Sequence, residues 1–406
     1  MTTDVVVIGA GPSGSVAAAM LVDAGLSVEV LERTHFPRFS IGESLLPQAM
    51  EWLDEAGLLQ DVVEAGFQHK NGATFSWGER EESFDFRIKS SSGWGTTYQV
   101  QREKFDLILA KGAERKGARV QFGQTVVAMN PHPTRPSLTV RDEAGNERVI
   151  ETRFVLDGSG FGRVLARLLD LEAPVLVPQR MSVFTHMKDN IPHGLHDRNK
   201  IIITINEKNP EIWYWFIPLA DGLTSVGVVG RPEHLAPYGA TREEQLTNLI
   251  AESGKMGSLL VNAERVRDVG EISGYACKVS HLSGDGYALL GNAGEFLDPV
   301  FSSGVTVALK SASLASKLVV RQLGGETPDW QREFAEPLGR GIETFRAYVN
   351  GWYDGSLQRV IFGTPADPTK VRQMITSVLA GYAWDEENPF VKQPSKYLSM
   401  LAELCR

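Results

Sequence analysis

The first 32 residues contain the pattern that most constrains what this chain can fold into. Residues Asp4 to Ile8 form an apolar, β-branched run, which is typical of a buried parallel strand. Residues 9–14 read Gly-Ala-Gly-Pro-Ser-Gly, and the small residues from Ser15 to Ala24 then predict a helix. A second strand from Ser27 to Leu31 completes a βαβ unit, with Glu32 at its end.

The turn between this strand and helix has the spacing of a dinucleotide site. Glycines allow a tight turn and let the backbone approach a pyrophosphate, which then sits on the N–H groups of the helix. The carboxylate of Glu32 could accept hydrogen bonds from a ribose hydroxyl. The alternative is a tight strand-to-helix turn that binds no nucleotide.

Two later segments favour FAD over NAD as the ligand. Asp157-Gly158-Ser159-Gly160 ends one predicted strand, and Gly291-Asn292-Ala293-Gly294 ends another before a helix from Gly304 to Leu323. The long ribityl-flavin half of FAD needs such distant segments to hold it. Each segment alone is only a turn after a strand.

Composition excludes several other classes of protein. A net charge of −9 without a basic stripe argues against a nucleic-acid partner. No apolar run approaches the roughly 20 residues that span a bilayer, so we expect no integral membrane association. Cys277 and Cys405 give no disulfide framework, the eight histidines show no metal spacing, and we expect a cytoplasmic protein.

The chain is long enough for two packed domains. We predict an α/β fold with a Rossmann-type FAD-binding domain of the glutathione-reductase-like or para-hydroxybenzoate-hydroxylase-like kind. It would comprise residues 1–75, 100–165 and 275–330. An antiparallel β-sheet substrate domain would comprise residues 76–99 and 166–274, and a mostly helical C-terminal segment residues 331–406, interrupted near 364–368.

Two further motifs follow the dinucleotide turn: residues 36–47 read FPRFSIGESLLP, and Gln101-Arg102 precede a predicted helix. With these motifs the chain resembles the flavin-dependent halogenases, within the wider group of FAD monooxygenases and geranylgeranyl reductase-like flavoproteins. The resemblance covers roughly the first three-quarters of the chain. The expected cofactor contacts are Gly9, Gly11, Pro12, Ser13, Gly14, Glu32, Arg33, Ser40, Ile41, Gly42, Arg102, Asp157, Gly158, Gly291, Asn292, Pro299 and Gly304.

Three matches are similar to halogenases in particular. Trp213-Tyr214-Trp215-Phe216-Ile217-Pro218 looks like the family's WxWxIP element, which implies that Trp213, Trp215, Ile217 and Pro218 wall a tunnel. Lys70 matches the position of the catalytic lysine. In Asp298-Pro299-Val300-Phe301-Ser302-Ser303-Gly304, the resemblance implies that the backbone of Ser303 and Gly304 binds chloride or bromide.

Each of these matches has a physical reason and a plainer alternative. Consecutive N–H groups at a helix start suit an anion, but Ser303 and Gly304 could instead be flavin-contacting backbone. A lysine held away from water has a lowered pKa, but Lys70 could be an exposed residue at a turn. The indoles of Trp213 and Trp215 share one face of a strand, as core aromatic pairs often do.

Departures from the family pattern narrow the implied activity. Phe301 stands where tryptophan halogenases carry a glutamate, which points to members acting on phenols or pyrroles, including carrier-protein-tethered ones. Asn292 replaces the usual aspartate near the ribityl chain, where an amide can still donate and accept hydrogen bonds.

The implied reaction is FADH2-dependent installation of chloride or bromide on such an aromatic ring, with Lys70 orienting hypohalous acid. The chain has no second GxGxxG motif for NAD(P)H, so we expect a separate flavin reductase as partner. The alternatives are an FAD-dependent dehydrogenase, reductase or monooxygenase without halide chemistry, and a flavin-binding protein without turnover.

Overall fold

The computed structural model describes residues 3–175, 177–363 and 369–405. The predicted interruption at residues 364–368 lies outside these ranges. The strands are β1 (Thr3–Ile8), β2 (Val28–Leu31), β3 (Gln68–Lys70), β4 (Gly72–Trp77), β5 (Arg80–Asp85), β6 (Thr97–Gln99), β7 (Arg119–Gln121), β8 (Thr125–Asn130), β9 (Ser137–Arg141), β10 (Glu147–Asp157), β11 (Glu172–Ala173), β12 (Met181–Lys188), β13 (Lys200–Ile205), β14 (Trp213–Pro218), β15 (Leu223–Gly230), β16 (Glu264–Arg265), β17 (Gly270–Ser273), β18 (Lys278–Val279), β19 (Ser283–Gly284) and β20 (Tyr287–Leu289).

The described residues also form α-helices of 4 to 21 residues. They are α1 (Pro12–Asp23), α2 (Ala49–Glu55), α3 (Leu59–Glu64), α4 (Arg102–Lys116), α5 (Val164–Leu168), α6 (Pro232–Leu235), α7 (Arg242–Ala251), α8 (Lys255–Leu259), α9 (Ser303–Leu323), α10 (Glu336–Tyr353), α11 (Ser356–Gly363), α12 (Lys370–Leu379), α13 (Pro389–Lys392) and α14 (Pro394–Leu404).

The first sheet is the predicted dinucleotide-binding sheet. Its order is β19-β20-β10-β1-β2-β7, and β20, β10, β1, β2 and β7 pair in parallel. The central strand β1 is apolar because both of its faces are covered, with Val5 and Val7 on one side and Val6 and Ile8 on the other. Small residues along α1 let this helix pack closely against α9 and β1.

The second sheet follows the order β16-β12-β15-β14-β13-β4-β5 and is antiparallel except for the pair β13–β4. All six residues of β4 pair with β13, from Gly72 opposite Lys200 to Trp77 opposite Ile205. The change to the second sheet therefore comes before Gly72, whereas the predicted boundary at residue 75 falls inside this strand. The division into domains remains a prediction.

The C-terminal segment is helical, as predicted, and it covers one face of the second sheet. Tyr348 and Trp352 of α10 and Ile361 of α11 pack into the core that contains Phe75 and Phe84 of the sheet. Aromatic rings form much of this contact, with Phe75 and Trp352 at 5.8 Å between centroids. In the ranges described, no helix is long and apolar enough to cross a membrane.

Candidate active site

A cavity of about 580 Å³ opens where the first sheet meets the second. The predicted residues that line it are Gly9, Gly11, Pro12, Ser13, Glu32, Arg33, Ser40, Ile41, Gly42, Arg102, Gly158, Asn292, Pro299, Gly304, Trp213, Trp215 and Ile217. The cavity is therefore lined by segments that are nearly 300 positions apart in the chain. Six other predicted residues lie outside its lining: Gly14, Asp157, Gly291, Ser303, Pro218 and Lys70.

The glycines of the first turn are required for two different reasons: Gly11 leaves space for a ligand, and Gly14 allows close packing of the backbone. A Cβ atom at Gly11 would meet only the Arg38 side chain, at 3.7 Å, and would otherwise project into open space. A Cβ at Gly14 would come within 1.9 Å of the carbonyl oxygen of Gly9, so Gly14 serves the contact between α1 and β1. The free space over Gly11, at the start of α1, fits a pyrophosphate.

Gly9 and Gly158 hold the ends of β1 and β10 together. Gly9 has φ of +89°, and a Cβ there would lie 2.7 Å from the carbonyl oxygen of Gly158. Gly291 likewise has φ of +51° and would bring a Cβ to 2.8 Å from that of Ala308 on α9. These positions keep the strand ends close enough to share one cavity wall.

Glu32 already has hydrogen-bond partners within the protein. One carboxylate oxygen accepts from the Ala10 N–H at 2.9 Å, and the other accepts from the N–H and hydroxyl of Thr34. The residue thus ties the glycine turn to the end of β2. Because Glu32 also lines the cavity, its carboxylate is in a position to accept the predicted hydrogen bond from a ribose hydroxyl as well.

Arg102 and the buried carboxylate of Asp106 together hold the segment from Arg38 to Gly42 in place. The sequence motifs did not point to Asp106. The Arg102 guanidinium donates twice to Asp106, at 2.8 and 3.0 Å, and also donates to the carbonyl oxygen of Ile41. Asp106 is fully buried and also pairs with Arg38 at 3.3 Å. The i,i+4 spacing of Arg102 and Asp106 in α4 was the available sequence signal.

Asp157, a predicted cofactor contact, is fully buried and does not line the cavity, so its cofactor role stays a prediction. Its two carboxylate oxygens accept from the backbone N–H groups of Ser159 and Leu165 at 2.9 and 2.7 Å. Burial raises the pKa of this carboxyl. Asp157 therefore shapes the turn that carries Gly158.

The two tryptophans of β14 belong both to the core and to the cavity wall. The Trp213 indole donates to the hydroxyl of Tyr353 at 2.9 Å, and this hydroxyl donates to Asp298 at 2.9 Å. The Trp215 indole donates to Ser225 at 3.1 Å. Sequence reasoning missed Tyr353, which connects α10 to the segment from Asp298 to Gly304.

Helix α9 begins at Ser303, after a 3₁₀ turn over Pro299–Phe301 that Asp298 caps by accepting from the Val300 N–H at 3.1 Å. Ser302 has φ of +55°, which turns the chain into the helix. The first N–H groups of a helix have no partner within it. Gly304 lies in the cavity wall, whereas Ser303 is buried and not part of the lining.

Lys70 is fully buried at the end of β3, which removes the exposed-turn alternative. Its ammonium donates to the Ser44 hydroxyl at 2.6 Å and to the Leu45 carbonyl oxygen at 2.7 Å. It also lies 5.3 Å from the ring centroid of Phe86. Burial lowers the pKa of Lys70 to about 7. Ser44 lines the cavity, so the Lys70 ammonium contacts a residue of the cavity wall.

Comparison with known proteins agrees with this geometry. A family model described as the FAD binding domain matches residues 2–321. A 1H-pyrrole-2-carbonyl-[peptidyl-carrier protein] chlorinase from Pseudomonas fluorescens is 30% identical over 86% of this chain and 83% of its own. Fold and cavity thus define an FAD-dependent oxidoreductase. The chain belongs to the flavin-dependent halogenases within the FAD binding domain family.

Two solved structures show the same fold. A flavoprotein/dehydrogenase from Cytophaga hutchinsonii has a TM-score of 0.96 and 44% identity, covering 100% of this chain and 99% of that one. A myxobacterial chondrochloren halogenase has a TM-score of 0.76 and 27% identity, covering 100% and 94%.

Proposed function

We propose that this protein uses reduced FAD, dioxygen and chloride or bromide to halogenate an electron-rich aromatic, a phenol or a pyrrole. The buried lysine next to the cavity is the observation that carries this proposal. Structural lysines are almost never fully buried unless paired with an acid, whereas Lys70 donates to the neutral oxygens of Ser44 and Leu45. The similarity to a chlorinase of a carrier-bound pyrrole supports a substrate tethered to a carrier protein.

The overall reaction balances when FADH2, O2, halide and a proton give FAD, water and hypohalous acid. The arene then exchanges one hydrogen for the halogen and releases a second water. When bound, reduced FAD would supply the two electrons and activate dioxygen. The protein must hold the halide, keep the oxidised halogen from escaping and present it to the arene.

We assign halogen delivery to Lys70 and halide binding to the N–H groups of Ser303 and Gly304. With a pKa near 7, the lysine populates both ammonium and amine at neutral pH. The ammonium can donate a hydrogen bond to hypohalous acid, and the amine can capture the halogen. The apolar wall formed by Trp213, Trp215 and Ile217 would exclude water along the way.

Substitution of Lys70 tests the assignment. Lys70→Ala should bind FAD and consume oxygen nearly as the wild type does, because neither step requires this lysine. It should lose halogenated product by on the order of a hundredfold or more. The assay combines oxygen uptake with mass spectrometry of products from a panel of phenols, free pyrroles and carrier-bound pyrroles. Electrons would come from NADH and a free flavin reductase.

Lys104→Ala is the matched control. Its ammonium lies 5.3 Å from the ring of Phe67, the same distance as Lys70 from Phe86, but Lys104 is exposed. It should leave product formation unchanged. Equal product from Lys70→Ala and wild type would contradict the role of Lys70. We also expect NADH alone to reduce the flavin slowly; rapid direct reduction would contradict the need for a reductase.

A second candidate, an FAD-dependent dehydrogenase without halide chemistry, is favoured by the name of the 44% identical flavoprotein/dehydrogenase. The two candidates differ in their need for halide. Substrate turnover in buffer free of chloride and bromide, equal to turnover with either ion, would support the dehydrogenase.

A further inference from the structure

The wall of the flavin cavity contains a buried carboxylate that the proposed reaction has not yet used. Glu43 is only 3% exposed and lines the cavity. Its Oε1 atom lies 2.8 Å from Nε2 of His186 on β12, and neither atom has a different hydrogen-bond partner among the described residues. A buried carboxylate is costly unless a donor compensates its charge, so the contact with the imidazole stabilises Glu43 in this position.

The imidazole of His186 connects this carboxylate with the outside of the protein. The side chain is 14% exposed, although its Nε2 atom is buried. His186 is not part of the cavity lining, so the exposed part of the ring meets water outside the cavity. Phe39 packs edge-on against the ring, at 5.6 Å between centroids, and keeps it beside Glu43. The pair therefore extends from external water to the cavity.

The proposed reaction needs a path for protons into the cavity. Each turnover consumes one proton when halide is oxidised to hypohalous acid, and the later halogenation of the arene consumes none. Among the described residues, the lining contains two carboxylates, and Glu32 already accepts from Ala10 and Thr34. Glu43 is the one that faces a histidine, the side chain best suited to exchange protons at neutral pH.

We propose that His186 and Glu43 form the path by which this proton enters the flavin cavity. His186 takes a proton from water onto its ring and gives one from Nε2 to Oε1 of Glu43, which releases it inside the cavity. These transfers move no electrons, and they leave the ring neutral and the carboxylate ionised again. The next residue, Ser44, accepts a hydrogen bond from Lys70, so the path ends beside the proposed site of halogen delivery. The inference rests on the proposed function, because that reaction consumes the proton.

The first test examines the pair in the protein without FAD. In NMR spectra of protein with ¹⁵N-labelled histidines, comparison with His186→Ala identifies the ring signals of His186. Glu43→Gln should shift these signals, because an amide replaces the carboxylate that faces Nε2. Unchanged ring signals in Glu43→Gln would show that the two side chains exchange no proton, which would overturn the inference.

The second test measures halogenated product in single turnovers, with FAD supplied already reduced and in dilute buffer. His186→Ala should form product on the order of a hundredfold more slowly. Added imidazole should restore much of the rate, because it can occupy the space of the missing ring and carry protons to Glu43. Glu43→Gln should be equally slow and should not respond to imidazole, whereas Glu43→Asp should keep part of the rate. FAD content, read from absorbance, should stay near the wild-type level.

His196→Ala is the matched control. The His196 ring also packs edge-on against a phenylalanine, Phe216, at 5.2 Å, but its Nε2 contacts a backbone carbonyl oxygen instead of a carboxylate. This variant should keep the wild-type rate with and without imidazole. Wild-type rates in both His186→Ala and Glu43→Gln would overturn this inference alone, as would a slow His186→Ala that imidazole does not restore. A wild-type protein that forms no halogenated product would contradict the proposed function and, with it, this inference.

Discussion

At the scale of single residues, the buried lysine ties the stability of the protein to pH. Lys70 loses its proton near pH 7 in the folded state, against 10.5 for an ordinary lysine. Between these values the unfolded chain binds one proton more than the folded chain. The free energy of unfolding therefore rises with pH across this window, by about 1.4 kcal/mol per pH unit from this group.

Lys70→Met should remove that slope. We expect the difference in unfolding free energy, wild type minus variant, to increase steadily between pH 7 and pH 9.5 in urea titrations. Lys104→Met, at an exposed site, should follow the wild type. A difference between wild type and Lys70→Met that stays constant with pH would show that the lysine remains protonated throughout. This measurement needs neither FAD nor substrate.

The glycine turn acts as one element, in which neighbouring glycines meet different constraints. Gly11→Val should fold but bind FAD at least about tenfold more weakly, because its side chain fills the space that the pyrophosphate needs. Gly14→Ala should lower the thermal stability instead, because its methyl group collides with the carbonyl of Gly9. FAD titration and thermal unfolding of both variants separate the two effects.

These two variants serve as controls for each other. Normal FAD affinity in Gly11→Val would place the pyrophosphate elsewhere. An unchanged melting temperature in Gly14→Ala would mean that α1 can move away from β1 at no cost.

At the scale of the whole molecule, the second sheet packs against residues 38–44, the loop that lines one side of the flavin cavity. Phe39 stacks on Phe184 of β12 at 5.8 Å, and the guanidinium carbon of Arg267 stands 3.5 Å from the Phe39 ring centroid. The side chain of His186, also in β12, lies 2.8 Å from the buried carboxylate of Glu43. We therefore expect these contacts between the second sheet and the cavity-lining loop to slow the loss of the cofactor.

Arg267→Ala should speed the dissociation of FAD by roughly three- to tenfold, since a partly desolvated cation–π contact contributes about 1 kcal/mol. The rate can be followed as recovery of flavin fluorescence after dilution. Arg265→Ala is the control, because this neighbouring arginine pairs with Glu243 at 2.5 Å, away from Phe39. Equal dissociation rates in Arg267→Ala and wild type would contradict a cofactor clamp across the sheets.

The sequence by itself determined the local elements and their order. The βαβ unit around Gly11, the helix predicted from Gly304 and the strand carrying Trp213 follow from apolar periodicity and glycine spacing, which depend on neighbouring residues only. The resemblance also pointed to most of the residues that line the cavity, such as Gly11 and Trp213, while the catalytic role of Lys70 stays a prediction.

Only the tertiary structure decided which side chains meet and how deeply they lie. The burial of Lys70, the inward position of Asp157 and the chain from Trp213 through Tyr353 to Asp298 join residues up to 140 positions apart. Burial and long-range hydrogen bonds arise from packing between elements. The residue pattern along one element does not specify which other element packs against it.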